Sequence, residues 1–272
     1  MMKFVKFLAV VASALYLACL PLALAAPAVT VEPGRIDVGM DFSGAQVRLK
    51  GTAPEGAQLI IKATAPGHPT GLSKKGRVGG LWMTVESVTV DGMPGFFQVL
   101  TSTGMREVPP AALQQAGVDP AYENLLGMAK VTVKHEEQKV VLDPAAGEEY
   151  ARGLVEINRK KGLYSIREGA VRVDGGRFEA LLDIPAAVPR GDIRIEIFTV
   201  APDGTVSALE PHVLQVASVG LVASLGSLAR TNPVTYGILA VVIALATGLA
   251  IANLFKYLQK LIFKDEGVSA HH

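Results

Sequence analysis

Residues 234–252, VTYGILAVVIALATGLAIA, contain no charge, and the uncharged run extends from Thr231 to Phe255. At about 1.5 Å rise per residue, this core forms a helix of roughly 28 Å, close to the ~30 Å hydrocarbon thickness of a bilayer. Helices buried in soluble cores seldom run so long without a polar face. The expectation is one transmembrane helix over 233–255. Lys256, Lys260 and Lys264 follow, with Asp265 and Glu266 beyond them. Lysines at the end of a span mark its cytoplasmic side, so 256–272 reads as a cytoplasmic tail. Within the span, Gly237, Ala240, Ala244, Gly248 and Ala252 recur every three or four residues. Small residues on one face admit a second helix at close range, which points to a membrane-protein partner or a second copy of the chain; coincidence is the competing reading, because alanine is common in all such helices.

The opposite end is also apolar. Lys3 and Lys6 precede an uncharged stretch over 7–24 that closes in Ala23-Leu24-Ala25, before Ala26-Pro27. That order reads as a secretory signal peptide over 1–25, with a retained anchor as the alternative. Cys19, the only cysteine, lies inside it; Tyr16 stands where a lipoprotein signal wants a branched aliphatic residue. Cleavage after Ala25 leaves a chain with no disulfide and no thiolate metal site. A cleaved signal exports the chain beyond Ala25, and the lysines hold the tail inside. The expected location is therefore the bacterial inner membrane, single-pass, with the large domain periplasmic.

Of the 272 residues, 50% are apolar and 19% charged, which excludes a disordered chain. With 26 Lys+Arg against 25 Asp+Glu, the formal charge is +1 and no basic field for nucleic acid is visible. The exported part opens with short alternating stretches around 36–40, 47–49, 59–65, 82–90 and 96–101, separated by Gly- and Pro-rich turns. Helical signals come next: Pro109-Pro110 before 111–116, and Asp119-Pro120. The clearest is 145–161, with Asp143 as N-cap, Pro144 at the first position, Gly162 just past the end, and an apolar stripe of Tyr150, Leu154, Ile157 and the Lys161 stem. Strands resume at 170–173 and 177–182 around Asp174-Gly175-Gly176, then at 193–198 and 205–216. The fold expected is mainly β with a helical insertion: immunoglobulin-like β-sandwich units outside the membrane, then the single span. Its divisions are a first β-sandwich unit over 26–108, the insertion over 109–165, a second β-rich unit over 166–217 and a juxtamembrane segment over 218–232. In that last segment Val219, Val222, Leu225 and Leu228 fit either an interfacial helix or a linker.

Catalytic signatures are not found. His68, His135 and His212 are far apart in sequence, and no nucleophile elbow, zinc helix or phosphate loop is present. A hydrolase would need His68 and His135 to converge with an acid or nucleophile. The expectation is a non-enzymatic protein with no cofactor and no metal. The densest unusual segment is 67–82, where Lys74, Lys75 and Arg77 precede Trp82, the only tryptophan. It reads either as an anion or partner contact or as a solvated loop leading to a core tryptophan.

Several pieces in order resemble an alphaproteobacterial family of transmembrane proteins. They are Phe42-Ser43-Gly44, Lys74-Lys75 with Gly80-Leu81-Trp82, Pro94 with Phe96-Phe97, and Lys161-Gly162-Leu163-Tyr164. Phe178, Leu182, Ile184-Pro185, Val188-Pro189-Arg190-Gly191 and Tyr236-Gly237 complete the set. The family pattern has Arg-Lys where this chain has Lys74-Lys75, and a second aromatic at the end of the span. The resemblance implies a signal peptide, a periplasmic β-rich region and one C-terminal span; it carries no catalytic residues. It also implies a genomic neighbourhood with sulfite-exporter-like permeases. The resulting expectation is an accessory or interaction subunit of a small-anion exporter. The alternative is a periplasmic ligand-binding or sensing module that uses the 74–82 loop.

Overall fold

A computed structural model describes residues 29–135 and 138–262. The signal peptide read at 1–25, Cys19, Glu136-Glu137 and the end of the tail, with His271 and His272, lie outside the described residues.

Two sheets form the body. The first contains β1 (Thr30–Glu32), β3 (Gly44–Thr52), β12 (Arg177–Pro185) and β11 (Val171–Asp174), in the order β1-β3-β12-β11. The second is built from β2 (Arg35–Val38), β4 (Gln58–Ala65), β7 (Phe96–Thr101), β10 (Tyr164–Arg167), β13 (Gly191–Val200) and β15 (His212–Ser218). Its order is β10-β7-β4-β13-β15-β2, and β14 (Val206–Ala208) pairs with β13. Strand alternation sends one side of each sheet inward. Val47, Leu49, Ala180 and Leu182 of the first sheet join Ile61, Ala63, Ile193, Ile195, Ile197 and Leu214 of the second in one core. Ile61 stands opposite Ile197, and Ala63 opposite Ile195.

The two strand-rich stretches therefore do not each build a unit. β3 pairs with β12 along nine residue positions and β4 pairs with β13 along seven, so 26–108 and 166–217 share both sheets. Each stretch alone exposes an apolar face that only the other covers. The order β1-β3-β12-β11 opposite β4-β13-β15 is the ABED and CFG order of immunoglobulin-like sandwiches. That likeness rests on strand order alone.

The insertion and residues 70–91 of the first stretch together form a further layer, and the insertion contributes strands to it as well as helices. A long ribbon of β5 (Thr70–Val78) and β6 (Leu81–Asp91) pairs at its root with β8 (Lys130–His135), which pairs with β9 (Gln138–Val141). Helices α1 (Pro110–Ala116), α2 (Glu123–Leu126) and α3 (Pro144–Lys160) accompany it. The layer covers the outer face of the second sheet. All six residues of β7 are consequently buried, and its sequence FFQVLT lacks the simple alternation of a one-sided strand.

In α3, Pro144 occupies the first turn as expected, but Asp143 makes no side-chain cap hydrogen bond; Gly162 lies past the end at φ +72°. The buried face is Gly147, Ala151, Leu154, Val155 and Asn158 rather than the expected Tyr150–Leu154–Ile157 stripe, and Ile157 is exposed. Gly147 permits close approach of the helix to β8: a Cβ there would lie 3.0 Å from Val131.

The segment after β15 is helical, α4 (Gly220–Thr231), and Asn232 separates it from α5 (Pro233–Ile262). Asn232 caps α5, its Oδ1 accepting the Thr235 amide at 3.2 Å. Pro233–Gln259 is 27 residues long and apolar enough to cross a membrane, and none of its most apolar window is buried. The candidate span thus runs past the expected limit at 255.

Candidate functional site

The 74–82 segment is not a loop but the outer half of the β5–β6 ribbon, turning at Gly79 (φ +59°) and Gly80 (φ +85°). Two glycines with positive φ permit this tight reversal. Its cations do not meet at one point. Lys74 reaches α3, where its Nζ donates to Glu149 Oε2 at 2.9 Å and lies 5.7 Å from the Tyr150 ring centre. Its hydrogen bond to Glu149, and that carboxylate's charge, raise the Lys74 pKa. Lys75 donates to Thr84 Oγ1 at 2.7 Å. Arg77 stands opposite Trp82 and its guanidinium lies 5.9 Å from the indole centre. A bulge between Lys74 and Lys75 resets the register and separates the α3-facing part from the tip. Trp82 is 70% exposed, so the core-tryptophan reading fails.

Gly237, Ala240, Ala244, Gly248 and Ala252 all lie on α5 and are exposed. A Cβ added at Gly237 or Gly248 would meet nothing within 4 Å. The structure thus leaves the small-residue face open.

Along the chain, His68 precedes β5, His135 closes β8 and His212 opens β15. His212 is near two carbonyls, Nδ1 at 2.9 Å from Glu210 O and Nε2 at 3.1 Å from Val29 O. The His135 side chain lies outside the described residues. Among the described residues, no group of three His, Cys, Asp or Glu side chains could hold a metal ion.

A well-formed concavity lies elsewhere. A cleft of about 750 Å³ opens between the outer face of the second sheet and the insertion, lined by Phe97, Met93, Leu125, Met128, Lys62 and Arg194 among others. Lys62 on β4 and Glu196 on β13 are cross-strand partners, joined at 2.8 Å. The Lys62 ammonium also donates to Ala116 O at 2.7 Å and lies 5.6 Å from the Phe198 ring centre. Arg194 approaches Glu196 from the other side at 3.1 Å. Burial alone raises the Glu196 carboxyl, but bonds and charge from Lys62 and Arg194 outweigh it and hold the pKa below the usual value. Beside the cleft, Tyr164 stacks with Tyr122 at 6.2 Å and meets Phe97 edge-on at 6.1 Å. Its hydroxyl donates to Pro94 O, and burial pushes its pKa up to about 12. The lining comes from stretches far apart in the chain.

The family model described as "Putative transmembrane protein (Alph_Pro_TM)" matches residues 28–257. The chain belongs to this family. The match starts just after the expected signal peptide and runs through the sandwich, the insertion and most of α5, so these parts belong to the family together. No curated protein and no solved structure matches the chain.

Proposed function

We propose that this family member is a non-enzymatic accessory or interaction subunit, anchored in the bacterial inner membrane by α5, with its sandwich in the periplasm and its C-terminus in the cytoplasm. The observation that carries the reading is α5 itself: a long apolar helix, unburied throughout its most apolar window, with Gly237, Ala240, Ala244, Gly248 and Ala252 at helical spacing. Lipid satisfies the large apolar residues, and the small ones suit a second helix at close range. Lys256, Lys260 and Lys264 support the orientation. A small-anion exporter of the sulfite type, as the partner, has the family resemblance as its support.

Crosslinking in native membranes, followed by identification of the adduct, tests the reading. A discrete membrane-protein adduct, or a dimer of this chain, that weakens in Gly248→Leu is expected. A chain that remains alone under all crosslinkers refutes it.

The cleft favours a second reading, a ligand-binding or sensing module, but moves its site from the 74–82 segment to the Lys62–Arg194 side of the sheet. Its size and mostly apolar walls are those of a small-molecule site. A raised unfolding midpoint with sulfite, sulfate or thiosulfate, abolished in Arg194→Ala, would support an anion there; no shift with any of them refutes it.

A further inference from the structure

The outer half of the β5–β6 ribbon is two-faced. Cross-strand pairing places Arg77 opposite Trp82 and Lys75 opposite Thr84, and alternation puts these four side chains on one face. Val78 stands opposite Leu81, and Gly76 opposite Met83, on the other face. Val85 lies across Gly76, where a Cβ would be 2.8 Å from it. Val78, Leu81, Met83 and Val85 are each at least half exposed. One face is thus aliphatic, and the other combines cations with an aromatic ring. From residue 56 to residue 85 there is no Asp or Glu, so the positive charge of this tip is not balanced locally.

The root of the ribbon has a definite place. β4 and β15 are each antiparallel to β13, so they run the same way through the sheet. The chain leaves β4 for the ribbon, and leaves β15 for α4 and α5, at the same end of the sandwich. Thr70 pairs with Val90 at the root, and nine residues at about 3.3 Å give an arm of roughly 30 Å.

We propose that the ribbon tip is a contact with the bilayer that α5 spans. Val78, Leu81, Met83 and Val85 enter the boundary between headgroups and acyl chains. Trp82, Arg77 and Lys75 lie at the level of anionic headgroups, where an amphipathic ring and cations are both favoured. The inference rests on α5 being a span.

The test uses the full chain in proteoliposomes of phosphatidylcholine and phosphatidylglycerol, with part of the phosphatidylcholine brominated high on its acyl chains. Trp82 is the only tryptophan, so fluorescence reports this site alone. Strong quenching by bromine, with protection from aqueous iodide, is expected. Quenching should weaken when phosphatidylglycerol is omitted. Leu81→Asp combined with Met83→Asp should lower the inserted fraction on the order of tenfold or more, with the unfolding midpoint unchanged. Iodide quenching without bromine quenching puts the tip in water and overturns the proposal. Protection from both quenchers means a protein covers the tip, which also overturns it. Alkaline carbonate extraction separates the two layers of the reading: a chain released from the membrane refutes the span, whereas a retained chain with iodide-quenched Trp82 refutes the bilayer contact alone.

Discussion

If the two strand-rich stretches share one core, damage to either must be felt by both. Leu49 on β3 and Leu182 on β12 are fully buried and lie on the same inward face; Leu49 is opposite Ala180 and Leu182 opposite Val47. Replacing a buried leucine with alanine removes transfer free energy and leaves a cavity, typically about 2–5 kcal/mol together. These sites are enclosed by both sheets, which limits collapse of the cavity, so about 3 kcal/mol is the working value for each. For a domain of about 190 residues, a loss of 3 kcal/mol lowers the unfolding midpoint by about 6–12 °C. The assay is thermal unfolding of the full chain in mild detergent, followed by circular dichroism in the strand region. Leu49→Ala and Leu182→Ala should each shift one and the same transition. The double variant should depart from additivity by about 0.5 kcal/mol or more, because diagonal neighbours share a cavity. Two transitions, with Leu49→Ala moving only one and Leu182→Ala only the other, would refute the shared core. Strict additivity would refute the contact between the Leu49 and Leu182 side chains.

Three further outcomes are expected from local geometry. Gly92→Ala should destabilise by at least about 1–2 kcal/mol, because the residue sits at φ +85° and a Cβ would lie 2.4 Å from the Met128 carbonyl, whereas Gly71→Ala, with nothing within 4 Å, should be close to neutral in the same unfolding assay. Because the Glu196 pKa is lowered in the folded chain, its contribution is complete above the unfolded value near ~4.3 and disappears as pH falls through the lower folded value; the stability gap between the native chain and Glu196→Gln should therefore close on acidification, and a gap independent of pH would count against the Lys62–Glu196–Arg194 cluster. Tyr164 behaves in the opposite sense: its pKa is raised to about 12, so its neutral form stabilises the fold up to about pH 10 and the effect fades above that, and Tyr164→Phe should lose part of this alkaline sensitivity in a stability profile.

Features set by neighbouring residues are legible in the sequence. The candidate span follows from hydropathy over 234–252, and α3 follows from Pro144 and Gly162, because apolar run length and helix boundaries depend on adjacent residues. The hairpin at Gly175-Gly176 is legible for the same reason. Strand partners are not. Whether Leu182 packs beside Leu49 or beside a neighbour in its own stretch is decided by closure of a loop of more than a hundred residues, and local alternation reads alike in both cases. The cleft is hidden for the same reason, since Lys62 and Arg194 are brought together only by β4–β13 pairing. Thr70–Val78 does not read as a strand because Gly71, Gly76 and the run of cations resemble a turn-rich loop. A lone tryptophan beside glycines then reads easily as a core residue.

The position of that tryptophan has a structural rationale that extends beyond exposure. A two-stranded ribbon is marginal in water by itself. This one is tied at the root by pairing of β6 with β8, and midway by two polar contacts with α3: Lys74 with Glu149, and the Tyr150 hydroxyl with the Glu86 carboxylate. Glu86 is the first acidic residue after position 55, and it faces α3 rather than the tip. The clamp therefore falls between a root whose Val88 and Val90 are buried and a tip whose Leu81, Trp82 and Met83 are not. If the ribbon's sole role were to cover the insertion, its apolar residues would end at the clamp. Instead the sequence beyond it becomes more apolar and more cationic, and α3 braces the ribbon midway, between that end and the root. A rigid arm with a tip that water solvates poorly is suited to a surface lying at a constant height. A bilayer offers such a surface to a domain tethered to it through α4 and α5.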